Sequence, residues 1–328
     1  MFPSTEVLPR LGWNERWSAL FAPYSDAGLT PGRVVRVDRD RVTVATACGD
    51  VVATARELPA AGDWVALAGP AERVTAVLPR ASSLVRRDPG RPAPQVLAAN
   101  VDVVFVVAAL DPEANLRRLE RMLAVAWESG AVPAVVLTKP DRSPDVAASV
   151  SAVGRVALGV DVAVVNGLTG EGVDRLRGCL DGHRTAVLVG PSGAGKSTLA
   201  NLLLGDPDRL STGEVRDVDG KGRHTTVTRE LVTLPGGGVL IDTPGLRGLD
   251  VWDVTDGVAA AFADVDELAA GCRFRNCRHG AEPGCAVVGR VDAARLRNWR
   301  HLSQPVDRAE QKRRAKVLGK TYRRDFKP

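Results

Sequence analysis

The run Gly190-Pro191-Ser192-Gly193-Ala194-Gly195-Lys196-Ser197 carries the GxxxxGK[ST] spacing of a phosphate-binding loop. Glycines there let the backbone wrap an anion, so that successive N–H groups point at phosphate beside the positive end of a helix. Lys196 would neutralise the β- and γ-phosphates, and Ser197 would ligate Mg²⁺. An apolar segment precedes the run and an amphipathic one follows, which separates it from an ordinary glycine-rich turn. Further on, Asp242-Thr243-Pro244-Gly245 closes the apolar stretch Val239-Leu240-Ile241. An acid at that place holds Mg²⁺ through water, and the Gly245 N–H can meet a γ-phosphate. Alone, this tetrapeptide reads equally as a turn. Between the two motifs lies Gly220-Lys221-Gly222-Arg223-His224-Thr225-Thr226. Thr225 and Thr226 are both candidates to close on Mg²⁺ as switch loops do, and a solvated loop is the competing reading.

A base reader stands upstream. Guanine presents N1–H and N2–H₂ donors that one carboxylate accepts together, an arrangement adenine lacks. In Thr138-Lys139-Pro140-Asp141, after the apolar Ala134–Leu137, Asp141 would accept from guanine and the Lys139 stem would lie over the base. Asn166-Gly167-Leu168-Thr169-Gly170-Glu171-Gly172 takes the place of the loop that backs the base. The order is therefore base reader, backing loop, phosphate loop, switch, Asp-x-x-Gly. A standard GTPase places the base reader after the phosphate loop, so this is a nucleotide-binding domain whose circle is cut elsewhere, as folds with neighbouring termini tolerate.

Cys272-x₄-Cys277-x-His279-x₅-Cys285 offers three thiolates and one imidazole, a tetrahedral set suited to one Zn²⁺. Four protein ligands leave no open position, which makes the metal structural. Buried free thiols with a surface histidine are the alternative. Cys48 and Cys179 have no partners in sequence and read as core residues.

The elements that must position these groups follow from periodicity. Residues 1–30 form an N-terminal extension. From 31 to 81, five short strands (Arg33–Val37, Arg41–Thr46, Asp50–Thr54, Asp63–Leu67, Arg73–Val77) suit a small barrel of the oligonucleotide-binding (OB) type. Ser82 to Gln95 is a basic, proline-containing connector. Strands and helices then alternate over a nucleotide-binding domain at 96–249, which predicts a parallel sheet covered on both faces. In the helix Asn115–Ser129, Leu116, Leu119, Leu123 and Trp127 share one face, and Arg117, Arg118, Glu120 and Arg121 take the other. Strands at Val227–Leu234 and Val239–Asp242 read as a hairpin across Gly236-Gly237-Gly238. A helical, cysteine-bearing unit with a basic tail fills 250–328.

Composition narrows the class. Of 328 residues, 45% are hydrophobic and 25% charged, an ordinary globular balance. The longest apolar run, Val101–Leu110, contains Asp102, and the start lacks a signal-peptide core, so a cytoplasmic protein without membrane contact is expected. Five cysteines are an odd number for a disulfide scaffold. The net charge of +5 is uneven, because residues 308–328 hold nine Lys/Arg against two acids, leaving the rest slightly acidic. In that tail Arg313, Arg314, Lys316, Arg323 and Arg324 suit phosphate-backbone contact, with a solvated tail as the alternative.

Together these motifs resemble the circularly permuted GTPases of the ribosome small subunit-dependent GTPase A family (RsgA, also YjeQ). The likeness spans nearly the whole chain and includes Ala99-Asn100-Val101-Asp102 and Glu282-Pro283-Gly284-Cys285. It implies an α/β fold: a circularly permuted P-loop GTPase domain with an N-terminal OB-type β-barrel and a C-terminal helical zinc-binding domain. It also implies a monomeric enzyme that hydrolyses GTP to GDP and phosphate. The small ribosomal subunit would stimulate it late in that subunit's maturation, with rRNA contacts from the barrel and zinc domains. By the same resemblance Thr138, Lys139, Pro140 and Asp141 bind GTP with Mg²⁺, as do residues 190–198, including Thr198. Cys272, Cys277, His279 and Cys285 would bind zinc.

The chain departs from the family at three places. Thr138 stands where Asn is commoner, losing an amide that bonds both base and phosphate loop; Asn166-Gly167 replaces Ser-Ala; Val227 ends a run usually closed by a third hydroxyl. Ras-like enzymes orient the attacking water with a Gln just after Asp-x-x-Gly, where this chain has Leu246. Slow hydrolysis by the free protein follows, with Lys196 and the Gly245 N–H as catalytic groups and His224 as the nearest candidate for positioning water. A loop histidine that serves only RNA or solvent is the rival reading. Two other functions compete: a zinc-containing RNA-binding assembly factor that uses nucleotide only as a binding switch, and a P-loop ATPase.

Overall fold

In a computed structural model, which describes residues 7–69, 73–86, 95–206, 209, 229–242, 255–280 and 282–303, the N-terminal extension is folded. It forms α1 (Val7–Arg10) and α2 (Glu15–Asp26), the latter capped by Asn14, whose side chain accepts from the Trp17 N–H. Trp17 and Phe21 lie one helical turn apart and are both buried. Trp13 meets the Trp64 ring edge-on at 4.9 Å between centroids, which welds the extension to the strands after it.

Those strands are β1 (Thr30–Val37), β2 (Val42–Thr46), β3 (Gly49–Ala53), β4 (Trp64–Ala68) and β5 (Arg73–Val77). β1 pairs with β2 and β4, β2 with β3, and β4 with β5, all antiparallel. The Val74 N–H donates to the Thr54 carbonyl (2.9 Å), a parallel bridge that joins the end of β3 to β5. The circuit 1-2-3-5-4-1 is the predicted OB-type barrel, filled by Val34, Val42, Val44, Val65, Leu67 and Val74. Cys48 does not fill it: it sits exposed in the β2–β3 turn, so its reading as a core residue is corrected. Cys179 is half-buried against the core.

The basic connector is also corrected in part. β6 (Ser83–Arg86) and β7 (Gln95–Ala99) pair antiparallel, with Leu84 fully buried. The short apolar runs Leu84-Val85 and Val96–Ala99 were enough to make paired strands at the two ends of an Arg/Pro-rich stretch. Residues 87–94 lie outside the described residues.

The remaining strands are β8 (Val103–Ala109), β9 (Val132–Thr138), β10 (Asp161–Val165), β11 (Thr185–Val189), β12 (Arg229–Thr233) and β13 (Val239–Asp242). They run β10-β9-β8-β11-β13 in parallel, with β12 antiparallel at the end as the predicted hairpin. Along β8, Val104 and Val106 enter one core while Val103, Phe105 and Val107 enter the other. Both faces are covered, which is why the run is apolar without alternation. The helices are α3 (Leu116–Glu128), α4 (Val146–Gly154), α5 (Val173–Gly178), α6 (Lys196–Leu204), α7 (Thr255–Ala261), α8 (Ala263–Ala269) and α9 (Ala293–Ser303). β12 also pairs with β1 of the barrel (Arg36 opposite Glu230), so barrel and parallel sheet share one continuous sheet.

Two buried polar groups fasten these parts. The Arg33 guanidinium, 1% exposed, donates to the carbonyls of Leu11, Gly62 and Asn100 and lies over the Trp64 ring. Asn100, in the left-handed region at φ 54, donates to the Gly62 carbonyl and accepts from the Ala81 N–H. The Asp102 carboxylate accepts from the Thr185 N–H at 2.7 Å, aligning β8 with β11. The Ala99–Asp102 motif is thus a structural knot between barrel and sheet.

α3 carries the third correction. Glu120, expected on the solvent face, is 2% exposed, because α7 and α9 cover that side. A Cβ on Gly257 of α7 would fall 1.9 Å from the Ala124 carbonyl, so the two helices touch backbone to backbone.

Candidate functional site

The C-terminal ends of β9 and β11, which flank β8, bring the predicted base and phosphate loops together, the place where open α/β sheets hold ligands. After β11, Gly190 packs so closely on β8 that a Cβ would lie 2.5 Å from the Val107 carbonyl. Gly193 and Gly195 take left-handed φ of 75° and 87°, conformations that turn the amides inward ahead of α6. Ala194 is buried, and the Lys196 ammonium donates to the carbonyls of Gly190 (2.8 Å) and Pro191 (2.6 Å). Ser197 and Thr198 stand in the first turn of α6.

Thr138, the last residue of β9, is buried, and its hydroxyl donates to the Ala194 carbonyl at 2.7 Å. The departure from Asn therefore does not cost the bond to the phosphate loop: a hydroxyl reaches it where an amide was expected to be needed. Lys139 follows in the left-handed region (φ 57), and its ammonium sits 3.7 Å from the Asp111 carboxylate. Asp111 also accepts from Arg142 at 2.8 Å. Pro140–Arg142 form one 3₁₀ turn, which leaves Asp141 exposed. Asp111 was missed in the sequence. Its signal is its place at the end of the β8 run, followed directly by Pro112.

In the backing loop, the Asn166 side chain accepts from the Leu168 N–H at 2.9 Å. A Cβ on Gly167 would meet the Thr198 methyl at 3.1 Å, so this loop abuts the first turn of α6. Beside the phosphate loop, a cavity of about 340 Å³ is walled by Asp111, Arg118, Leu119, Met122 and Lys139 together with residues 191–194. Asp242 ends β13, next to the strand that carries the phosphate loop. His224, Thr225, Thr226 and Gly245 lie outside the described residues, as do Leu246 and the basic tail.

The cysteine cluster assembles. Ligand atoms of Cys272, Cys277, His279 and Cys285 all lie within 4.8 Å of one another. The His279 Nδ1 stands 3.5 Å from both Cys272 Sγ and Cys285 Sγ. A tetrahedral zinc with Zn–S of about 2.3 Å and Zn–N of about 2.0–2.1 Å sets its N and S ligands about 3.5 Å apart, so the donors fit that ion. Burial pushes the Cys277 thiol up to about 11. Cys285, against its own burial, is drawn down to about 6 by the backbone N–H groups of Val288 and Val287 and by His279. His279 is buried, its ring 5.0 Å from that of Trp299 on α9.

Among known proteins, the RsgA GTPase family matches residues 77–252. A protein of Streptomyces avermitilis named small ribosomal subunit biogenesis GTPase RsgA is 48% identical over 343 residues, covering 99% of this chain and 92% of its own. One of Syntrophotalea carbinolica with the same name is 39% identical, covering 97% of this chain and 98% of its own. The fold is similar to the crystal structure of YjeQ from Thermotoga maritima, with a TM-score of 0.64 at 24% identity over 84% of this chain and 97% of that one. YloQ, described as a circularly permuted GTPase, gives a TM-score of 0.59 at 22% identity over 87% of this chain and 96% of that one. The permuted order of strands and loops, the barrel before them and the metal cluster after them agree with these likenesses: the chain belongs to the RsgA GTPase family.

Proposed function

We propose that this chain hydrolyses GTP to GDP and phosphate as a maturation factor of the small ribosomal subunit, which stimulates it. The bond from Thr138 to Ala194 carries the reading, because it locks the base-reading loop to the phosphate loop despite the permuted order. The names of the near full-length relatives support the ribosomal role.

Asp141 reads guanine, the Lys139 stem covers one face of the base, and Asn166-Gly167 back it. The amides of residues 190–198 surround the phosphates. Lys196, now bonded to its own loop's carbonyls, turns to the β- and γ-phosphates when they arrive. Ser197, Asp242 and one of Thr225 and Thr226 hold Mg²⁺, which neutralises charge developing on the phosphates. The Gly245 N–H meets the γ-phosphate. Leu246 neither donates nor accepts, so the free protein lacks a group to orient water from that position. In the subunit-bound protein His224 positions the attacking water.

The four donors of the cysteine cluster hold one structural Zn²⁺, which fixes the loops ahead of α9. The barrel, the zinc-bearing unit and the basic tail contact rRNA in a cytoplasmic monomer. Among the described residues no helix is long and apolar enough to cross a membrane. The test is GTP turnover with and without small subunits across salt concentration. Turnover should rise with subunits and lose that rise at high salt, and no stimulation overturns the ribosomal reading. Asp141→Ala should weaken GTP binding at least ~100-fold, the cost of about two charge-assisted hydrogen bonds.

A further inference from the structure

A continuous line of contacts leads from the metal ligands to the phosphate loop. The His279 ring faces Trp299, and Arg295 stands one turn earlier on the same helix, α9. The Arg295 guanidinium is buried among four other elements. It donates to Glu120 of α3 (2.7 Å), to both oxygens of Asp264 on α8 (2.6 and 3.0 Å), to the Ala261 carbonyl of α7 (2.9 Å) and to the Val156 carbonyl after α4 (3.3 Å). It also lies over the Phe262 ring at 4.5 Å. Asn298, the next turn along α9, donates to the other Glu120 oxygen at 2.6 Å. Glu120 is therefore held by two side chains of the metal-bearing unit. Its neighbours on α3, Arg118, Leu119 and Met122, wall the cavity against residues 191–194.

A buried charge pair tolerates little misalignment, because neither ion regains its hydration when the geometry slips. A shift of α9 thus moves Glu120 rather than breaking the pair, and with Glu120 moves the α3 wall beside the phosphate loop. We propose that Arg295 is a positioning residue for the nucleotide site, coupling occupancy of the Cys₃His site to nucleotide binding through Glu120 and α3. The proposal rests on the zinc and GTP readings above. Linkage makes the effect reciprocal: the zinc-loaded form binds nucleotide more tightly, and the nucleotide-bound form binds zinc more tightly by the same factor.

The test compares GDP affinity, by calorimetry on the full chain, with zinc loaded and with zinc stripped by a chelator under reducing conditions. In the unaltered chain, stripping should weaken GDP binding at least ~5-fold, the lower end of usual coupling between sites. In Glu120→Gln/Arg295→Gln, which removes both charges, the ratio should fall close to one while the protein still takes one zinc and binds GDP. The milder Asn298→Ala takes one partner from Glu120 without removing charge and should reduce the ratio in the same direction. GDP binding that ignores zinc in the unaltered chain overturns the coupling alone. So does an undiminished ratio in the double variant, or in Asn298→Ala should the double variant fail to fold. Failure of the loaded, unaltered chain to bind GDP at all overturns the functional reading and the coupling with it.

Discussion

The carboxylate of Glu120 and the guanidinium of Arg295 meet at 2.7 Å, although 175 residues separate them in the chain. Both side chains are at least 96% removed from solvent. Arg295 answers two acids, Glu120 and Asp264, and burial still pushes the Glu120 carboxyl above its ordinary value, against its bonds to Asn298 and Arg295. Removing Arg295 strands Glu120 in a place that water does not reach. Arg295→Ala should therefore cost ~3–5 kcal/mol in urea unfolding, and adding Glu120→Gln should restore part of it. The sign with pH follows from the raised carboxyl. Just above the ordinary carboxylate value the folded state holds a proton that the unfolded chain has released, so stability falls as pH rises there. The Arg295→Ala deficit should shrink on acidification through that window.

Thr138→Val keeps the shape of the side chain and deletes the hydroxyl that donates to Ala194. The buried carbonyl then lacks its donor, a loss of ~1–3 kcal/mol. Nucleotide affinity should fall ~5- to 150-fold by the same energy if the bond frames the phosphate loop. A fluorescent GDP titration measures it, and an unchanged affinity shows that the loop holds its shape without Thr138.

Arg33→Met removes the donor shared by the Leu11, Gly62 and Asn100 carbonyls at the junction of α1, barrel and sheet. At ~1–3 kcal/mol for each unsatisfied group, the loss should exceed ~3 kcal/mol. Because Leu11 belongs to the N-terminal segment, limited proteolysis should cut first within residues 7–29. Cleavage elsewhere, with the extension intact, contradicts the role assigned to Arg33.

Stripping the metal from the cluster at Cys272, Cys277, His279 and Cys285 leaves three thiols and a buried imidazole. Zinc displaces the thiol protons, so its affinity should rise with pH and fall on acidification. Competition against a chromogenic chelator between pH 6 and pH 8, a window chosen to span the ordinary imidazole value of about 6.5, reads this directly. A pH-independent affinity is incompatible with thiolate ligands.

Much of the site was legible without coordinates. The phosphate loop, Thr138–Asp141 and the cysteine cluster are short, local patterns, in which spacing alone constrains what neighbouring atoms can do. The barrel strands were legible because alternation and Gly/Asp punctuation set them off. Other features were not. Glu120 reads as a solvent residue on a helix face among arginines, and only the packing of α7 and α9 on that face makes it buried. The β6–β7 pair hides in the sequence because β6 is four residues long, with Leu84 its one buried residue, and runs straight into an Arg/Pro-rich stretch.

The sequence by itself determined the chemistry of the loops and their permuted order. Tertiary structure decided which distant polar groups answer each other: Thr138 with Ala194, Arg33 with three carbonyls, and Glu120 with Arg295. The reason is physical. A local motif carries its partners with it, whereas a buried donor or charge requires a partner that only the folded chain supplies.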